Sequence, residues 1–310
     1  MLYFTVALDV VNYYQVFFGS AAALLPLFSL MLAHFTKFLL SGALTALFTG
    51  LIPMVCAAQS AGPEKGWLII DGGGGLKEAE KRFVTLAGGP NGNIVFIPTA
   101  LSDEDIEKAG FFRGHGTGLL KSWGINPDHV TMLHTRDKAR ANSEFFIEAL
   151  RKASGVVIWG GRQWRLADAY LDTGVEDEIK RLLARGGVVF GTSAGATIQG
   201  SFLVRGDPKG NEIVMSPGHE RGFGLLSNSA IDQHVNTRQR EHDLVTVIEK
   251  HRELLGLGID EGAAIVVHGD SFEVLGGQVA IYDGKQHNGN SYYFLSPGQV
   301  FSLKERIWIK

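Results

Sequence analysis

GVVFGTSAGA, residues 187–196, joins a continuous apolar run to a G-x-S-x-G motif. An uninterrupted apolar run is typical of a parallel strand covered on both faces, and the small residues from Ala194 onwards suit the start of a helix. A strand, a sharp turn and a helix in succession are the setting of a nucleophile elbow. Glycine on both sides of Ser193 relieves clashes in so tight a turn. The stretch therefore predicts a serine nucleophile at position 193, with a purely structural glycine turn as the alternative.

Similar apolar runs recur along the chain and predict the fold. They occupy residues 67–71 (WLIID), 93–98 (NIVFIP), 130–134 and 155–159 (GVVIW). Helical patterns separate them, clearest at 144–152 and 175–184, while Ser102 and Asp105 form a helix-starting capping box. Strands alternating with helices indicate βαβ units. We therefore expect an α/β fold with a flavodoxin-like, doubly wound, mainly parallel sheet.

Shorter strands follow residue 201, and the turns between them are rich in glycine. The runs at 263–268, 272–275 and 278–282 predict added antiparallel strands near the C-terminus. Gly276 and Gly277 are interpreted as the hairpin turn between the last two.

The first 60 residues differ in composition from the rest, with one acid, Asp9, and one base, Lys37. Lys37, the apolar stretch 38–55 and the small residues at 57 and 58 predict a signal peptide over residues 31–58. Residues 1–30 are then an upstream extension before Met31, and 66–310 form a single hydrolase domain. The protein is expected to be exported to the periplasm or beyond. The alternatives are an uncleaved membrane anchor and a lipidated Cys56.

Charge and cysteine content exclude several functions. The net charge of -3 gives no reason to expect nucleic acid as a partner. Cys56 is the only cysteine, so a chain cleaved after it has neither a disulfide nor a thiolate nucleophile. Histidine spacing fits no zinc site, and the sequence calls for no metal and no cofactor.

A serine nucleophile needs a general base and an oxyanion hole. His234 stands out, at the end of a short predicted strand. Asp260 and Glu261 end another strand, and either can orient His234. The N–H of Ala194 is one expected oxyanion donor, and the glycine run 72–75 offers a second through Gly73 or Gly74.

Five segments together resemble the cyanophycinase/dipeptidase E family of serine peptidases. They are DGGGG at 71–75, GGRQ at 160–163, GTSAGA at 191–196, DQHVNTRQR at 232–240 and GIDEGAA at 258–264. The resemblance implies a class I glutamine amidotransferase-like fold with serine in place of cysteine. It also implies that Ser193 is the nucleophile, His234 the base and Glu261 the orienting carboxylate.

The family acts on β-linked aspartate, either in cyanophycin, a poly-aspartate with arginine side groups, or in small aspartyl peptides. The resemblance places substrate recognition at Gln163, Asp232, Gln233, Arg238 and Arg240. Two positions depart from the cyanophycinase pattern, which continues with a third arginine where this chain has Asp243, and which carries Asp or Asn at the position of Arg162. Both departures weaken the case for cyanophycin more than the case for hydrolysis.

The expected function is therefore that of an exported serine hydrolase with an acyl-enzyme mechanism and a peptide partner that carries aspartyl carboxylates. A small aspartyl dipeptidase and a non-catalytic binding protein are the alternatives, and serine at the elbow disfavours an amidotransferase. Homodimer formation stays open, and membrane contact is expected only through an uncleaved or lipidated N-terminus.

Overall fold

Strands and helices alternate along the first half of the computed structural model, which describes residues 60–111 and 115–310. The strands are β1 (Trp67–Asp71), β2 (Ile94–Ile97), β3 (Val130–Met132), β4 (Gly155–Ile158), β5 (Val188–Thr192), β6 (Gly200–Phe202), β7 (Leu226–Gln233), β8 (Leu255–Ile259), β9 (Ala263–His268), β10 (Ser271–Gly276), β11 (Val279–Tyr282), β12 (Tyr293–Leu295), β13 (Val300–Ser302) and β14 (Ile307–Trp308). The helices are α1 (Lys77–Leu86), α2 (Asp103–Lys108), α3 (His115–Ser122), α4 (Lys138–Ala141), α5 (Glu144–Lys152), α6 (Gln163–Tyr170), α7 (Gly174–Ala184), α8 (Ala194–Thr197) and α9 (Asp243–Lys250).

The larger sheet has the strand order β14-β13-β10-β9-β1-β5-β4-β2-β3. Strands β1, β5, β4, β2 and β3 are parallel, whereas β9, β10, β13 and β14 add antiparallel pairs beyond β1. The predicted fold class, a mainly parallel α/β sheet with antiparallel strands from the C-terminal part, is confirmed.

A second sheet, which sequence patterns did not indicate, has the order β12-β11-β8-β7-β6 with β6, β7 and β8 parallel. The hairpin predicted at Gly276–Gly277 is wrong, because β10 pairs with β9 in the larger sheet and β11 pairs with β8 in the second. Gly276 adopts a φ of 71°, and a Cβ there would lie 2.2 Å from the carbonyl oxygen of Gly262. These glycines pass the chain from one sheet to the other.

The central strands are buried along their whole length, as their unbroken apolar sequences require. Helix α5 buries Phe146 and Leu150 in the hydrophobic core and leaves Phe145 exposed. The hydroxyl of Ser102 accepts the N–H of Asp105 at 3.1 Å, which confirms the predicted helix start.

The carboxyl ends of four strands meet the segments that carry the predicted chemistry. In the larger sheet Asp71 of β1 lies opposite Thr192 of β5. In the second sheet Gln233 of β7 lies opposite Ile259 of β8. Sites in α/β proteins form at such strand ends.

The predicted signal peptide and upstream extension lie outside the described residues and stay predictions. Within residues 60–111 and 115–310, no helix has both the length and the apolar character needed to cross a bilayer.

Candidate active site

Ser193 occupies a strained turn between β5 and α8, with φ 53° and ψ -114°. The flanking glycines are required by space. A Cβ on Gly191 would lie 2.0 Å from the carbonyl oxygen of Gly195, and one on Gly195 would lie 2.1 Å from that of Ile158. The G-x-S-x-G sequence thus follows from the close packing of the elbow against β4.

His234 meets Ser193 across the site, with 2.9 Å between its Nε2 and the serine Oγ. His234 directly follows the last residue of β7 and has a backbone φ of 54°. Its side chain is 9% exposed. A distance of 2.9 Å lies within the range required of a general base. The two side chains come together because the carboxyl end of β5 in the larger sheet and that of β7 in the second sheet both lie at the site.

Glu261 lies on the other side of the imidazole, with its Oε1 2.7 Å from Nδ1 of His234. The distance is short, yet the carboxylate oxygen lies off the N–H direction, and Nδ1 makes no aligned hydrogen bond. Such bonds often align only when substrate binds. Asp260 points elsewhere and accepts the N–H of Thr237 at 2.9 Å. The structure therefore brings Glu261, not Asp260, to the imidazole.

The surroundings favour a neutral imidazole. Burial lowers the pKa of His234, and the cation of Arg238 lowers it further, while Glu261 acts in the opposite direction. A neutral ring can accept a proton from Ser193, and Glu261 can then stabilise the imidazolium that forms.

The two glycines proposed as oxyanion donors differ. The N–H of Gly73 donates to Oδ1 of Asp71 at 2.9 Å and is therefore occupied. In the described part of the chain, the N–H groups of Gly74 and Ala194 donate to no protein acceptor. Gly74 is thus the donor that the glycine run can offer beside Ala194.

The arrangement of Ser193, His234 and Glu261 is that of a serine hydrolase, and comparison with known proteins agrees. Residues 68–275 match the model of peptidase family S51. The chain belongs to peptidase family S51. It is accordingly a serine-type peptidase, as the sequence motifs predicted.

Relatives of this S51 peptidase are cyanophycinases. The chain is 31% identical to the cyanophycinase of Geminocystis herdmanii over 67% of its own length and 76% of that protein. It is 32% identical to the cyanophycinase of Trichormus variabilis over 67% of its length and 68% of that protein. A crystal structure of a peptidase from an acI-B1 Actinobacterium shares the fold, with a TM-score of 0.60, 24% identity and coverage of 78% of this chain and 98% of that one.

Two of the predicted substrate residues of this S51 peptidase form hydrogen bonds within the protein instead. Asp232 is fully buried and accepts two hydrogen bonds from Arg205, at 2.9 and 2.8 Å. The amide of Gln163 is also buried and donates to the carbonyl oxygen of Val204 at 2.7 Å. We therefore assign both side chains to holding the site together.

The other three predicted substrate residues keep polar atoms free for a ligand. Oε1 of Gln233 and one terminal nitrogen of Arg240 are buried without a hydrogen-bond partner in the described residues. Arg238 is exposed. Unsatisfied buried polar atoms are costly, so these two call for a partner. A substrate carboxylate suits the Arg240 nitrogen, and a substrate N–H suits Oε1 of Gln233.

Arg205 is a residue that sequence analysis missed. Besides Asp232 it binds Asp243, where the resemblance to cyanophycinases led us to expect an arginine. An arginine thus enters this region from another element, with Asp243 as its counter-ion. The one sequence signal was a charged residue directly after the apolar run 202–204.

Proposed function

We propose that this S51 peptidase hydrolyses peptide bonds next to a β-linked aspartyl group through an acyl-enzyme on Ser193. The observation that carries the proposal is the 2.9 Å contact between Ser193 Oγ and His234 Nε2 at a strained elbow.

In the first step His234 Nε2 takes the proton from Ser193 Oγ, which attacks the carbonyl carbon of the scissile amide. The N–H groups of Ala194 and Gly74 hold the oxyanion. The intermediate collapses, and the imidazolium gives its proton to the departing amine. Water, activated by the same ring, then releases the acid and restores the Ser193 hydroxyl. Glu261 stabilises the imidazolium during both steps.

The charges around the nucleophile support a substrate rich in carboxylates. Arg238 and Arg240 follow the base closely, and one terminal nitrogen of Arg240 is buried without a hydrogen-bond partner in the described residues. Arginine binds carboxylates with paired donors. Relatives named cyanophycinase share this part of the chain. Asp243, which neutralises Arg205 rather than adding a cation, favours a small aspartyl peptide over the polymer.

The proposal includes export. Residues 31–58 have the charged flank, apolar stretch and small terminal residues of a cleaved signal. N-terminal sequencing of the protein from its native host tests this point, and a mature chain that retains residues 31–58 contradicts it.

Activity of the purified protein on β-aspartyl dipeptides and on cyanophycin tests the reaction. Wild type is expected to release the amine, and Ser193→Ala to lose nearly all activity while its free energy of unfolding changes by less than about 1 kcal/mol. A fluorophosphonate probe is expected to label Ser193. Full activity of Ser193→Ala would refute the mechanism, and inactive wild type without labelling would favour a binding protein.

A further inference from the structure

Asp71 is a buried carboxylate that holds both sides of the site. Its Oδ1 accepts the hydroxyl proton of Thr192 at 2.6 Å and the N–H of Gly73 at 2.9 Å. Its main-chain oxygen accepts the N–H of Ser193 at 3.0 Å. One residue thus joins the elbow to the glycine turn, which we define as residues 72–75.

The glycine turn contacts both partners of the nucleophile. Gly73 lies against the imidazole of His234, and its carbonyl oxygen accepts the N–H of Gly262 at 2.9 Å. A Cβ on Gly74 would lie 3.1 Å from Cβ of Glu261. A shift of the turn would therefore move the base, the carboxylate and an oxyanion donor relative to Ser193.

We propose that Asp71 is a positioning residue that keeps the glycine turn in register with the nucleophile elbow. The inference rests on the proposed hydrolytic function. Asp71 is 1% exposed, so it acts through Thr192 and Gly73 and does not touch substrate.

Stability alone does not account for this carboxylate. Its second oxygen, Oδ2, is buried and makes no hydrogen bond of normal geometry in the described residues, although the backbone N–H of Leu76 also favours the charged form. An unpaired buried oxygen of this kind lowers stability. A group retained at such a cost is expected where the geometry of a site depends on it.

The charge of Asp71 changes near neutral pH. Burial raises its pKa to about 6, against the hydrogen bonds from Thr192 and Gly73, and the carboxylate of Glu80 in α1 raises it further. Lys77 pairs with Glu80 at 2.6 Å.

Two titratable side chains from other elements, His234 and Glu261, also lie against the glycine turn. Ionised Asp71 accepts stronger, charge-assisted bonds. The tie between the glycine turn and the elbow therefore tightens as pH rises, and His234 also loses its proton in that direction.

The test compares kcat, KM and the pH profile of Asp71→Asn and Asp71→Ala with wild type. Loss of the acceptor in Asp71→Ala is expected to lower kcat about 100-fold, as removal of an oxyanion donor does, with KM within about twofold. Asp71→Asn keeps an acceptor oxygen and is expected to recover part of kcat. The acid limb of its kcat–pH profile should follow the ionisation of one group, whereas that of the wild type should follow two. Glu80→Gln, which removes a nearby charge but no bond to the elbow, is the control. It should keep the wild-type kcat above the acid limb, and the limb itself should move to lower pH because Glu80 raises the pKa of Asp71.

Wild-type kcat in Asp71→Ala would overturn the proposal. If Asp71→Ala does not fold, a kcat and an acid limb in Asp71→Asn that both equal those of wild type would overturn it. Failure of the proposed function would look different, because wild type would then hydrolyse no aspartyl substrate. In that case the rate of fluorophosphonate labelling of Ser193 is the measurement, and equal rates in wild type and both variants would overturn the role of Asp71.

Discussion

Gly73 lies so close to His234 that a Cβ on residue 73 would come within 2.5 Å of the imidazole Cε1. Its φ of 115° is also one that other residues rarely adopt. The absence of a side chain at position 73 therefore sets where the ring of the base can lie.

Gly73→Ala should displace His234 from Ser193 and lower kcat by at least about tenfold, since a misplacement of about 1 Å costs more than this in enzymes. Gly75→Ala is the matched control. It shares a positive φ, 75°, but a Cβ there would have only Oε1 of Glu80 within 4 Å, at 3.9 Å. Steady-state kinetics of both variants measure the difference, and equal losses would show that backbone strain, not the ring contact, is responsible.

Glu261→Gln removes the charge that stabilises the His234 imidazolium, and we expect kcat to fall at least about 100-fold with little change in KM. Asp260→Asn keeps an oxygen that can accept the N–H of Thr237, so it should remain within about twofold of wild type. If the two variants were equally impaired, the choice of Glu261 as the partner of His234 would be wrong.

Arg238→Gln should raise the pKa of His234, because the Arg238 cation disfavours a second positive charge nearby. With a higher pKa the ring is protonated at pH 6 to a greater extent, so labelling of Ser193 by a fluorophosphonate should slow at pH 6 and stay unchanged at pH 9. Arg238→Lys keeps the charge and should follow the wild-type profile. A labelling profile of Arg238→Gln that moves to lower pH would contradict the electrostatic role.

Asp71→Asn should also change how stability depends on pH. The pKa of Asp71 is about 6 in the folded protein and about 4 when unfolded, so the folded state binds more protons between these values. The contribution of Asp71 to the stability of the wild type therefore falls as pH rises from 4 to 6 and is level above that. The free energy of unfolding of Asp71→Asn relative to wild type should increase by about 2 kcal/mol from pH 4 to pH 7. Urea denaturation at both pH values measures it, and a constant difference would mean that burial does not shift this carboxyl.

Asp232→Ala leaves Arg205 buried with one of its two carboxylates missing, and we expect a loss of about 3 kcal/mol in the free energy of unfolding. Asp243 is partly exposed, so Asp243→Ala should cost less. Denaturant midpoints of the two variants rank them. A larger loss for Asp243→Ala would reverse our assignment of Asp232 as the main partner.

Local patterns predicted much of the fold and of the site. Buried parallel strands have unbroken apolar sequences, and the elbow needs glycine at 191 and 195 for reasons that neighbouring atoms impose. Ser193 and the strand ends carrying His234 and Glu261 could therefore be predicted from the sequence. The second sheet could not, because no local pattern shows that β6, β7 and β8 pair with one another rather than with the larger sheet.

The sequence by itself predicted Ser193 as the nucleophile and determined the parallel core and the order of the motifs, since strand periodicity and tight-turn sterics act between residues close along the chain. Only the tertiary structure decided that Glu261 rather than Asp260 reaches His234, that the N–H of Gly73 is occupied by Asp71, and that Asp232 is bound by Arg205. These choices depend on which strand ends pack together and on which polar groups burial leaves to pair with one another, and neither is a property of any single segment.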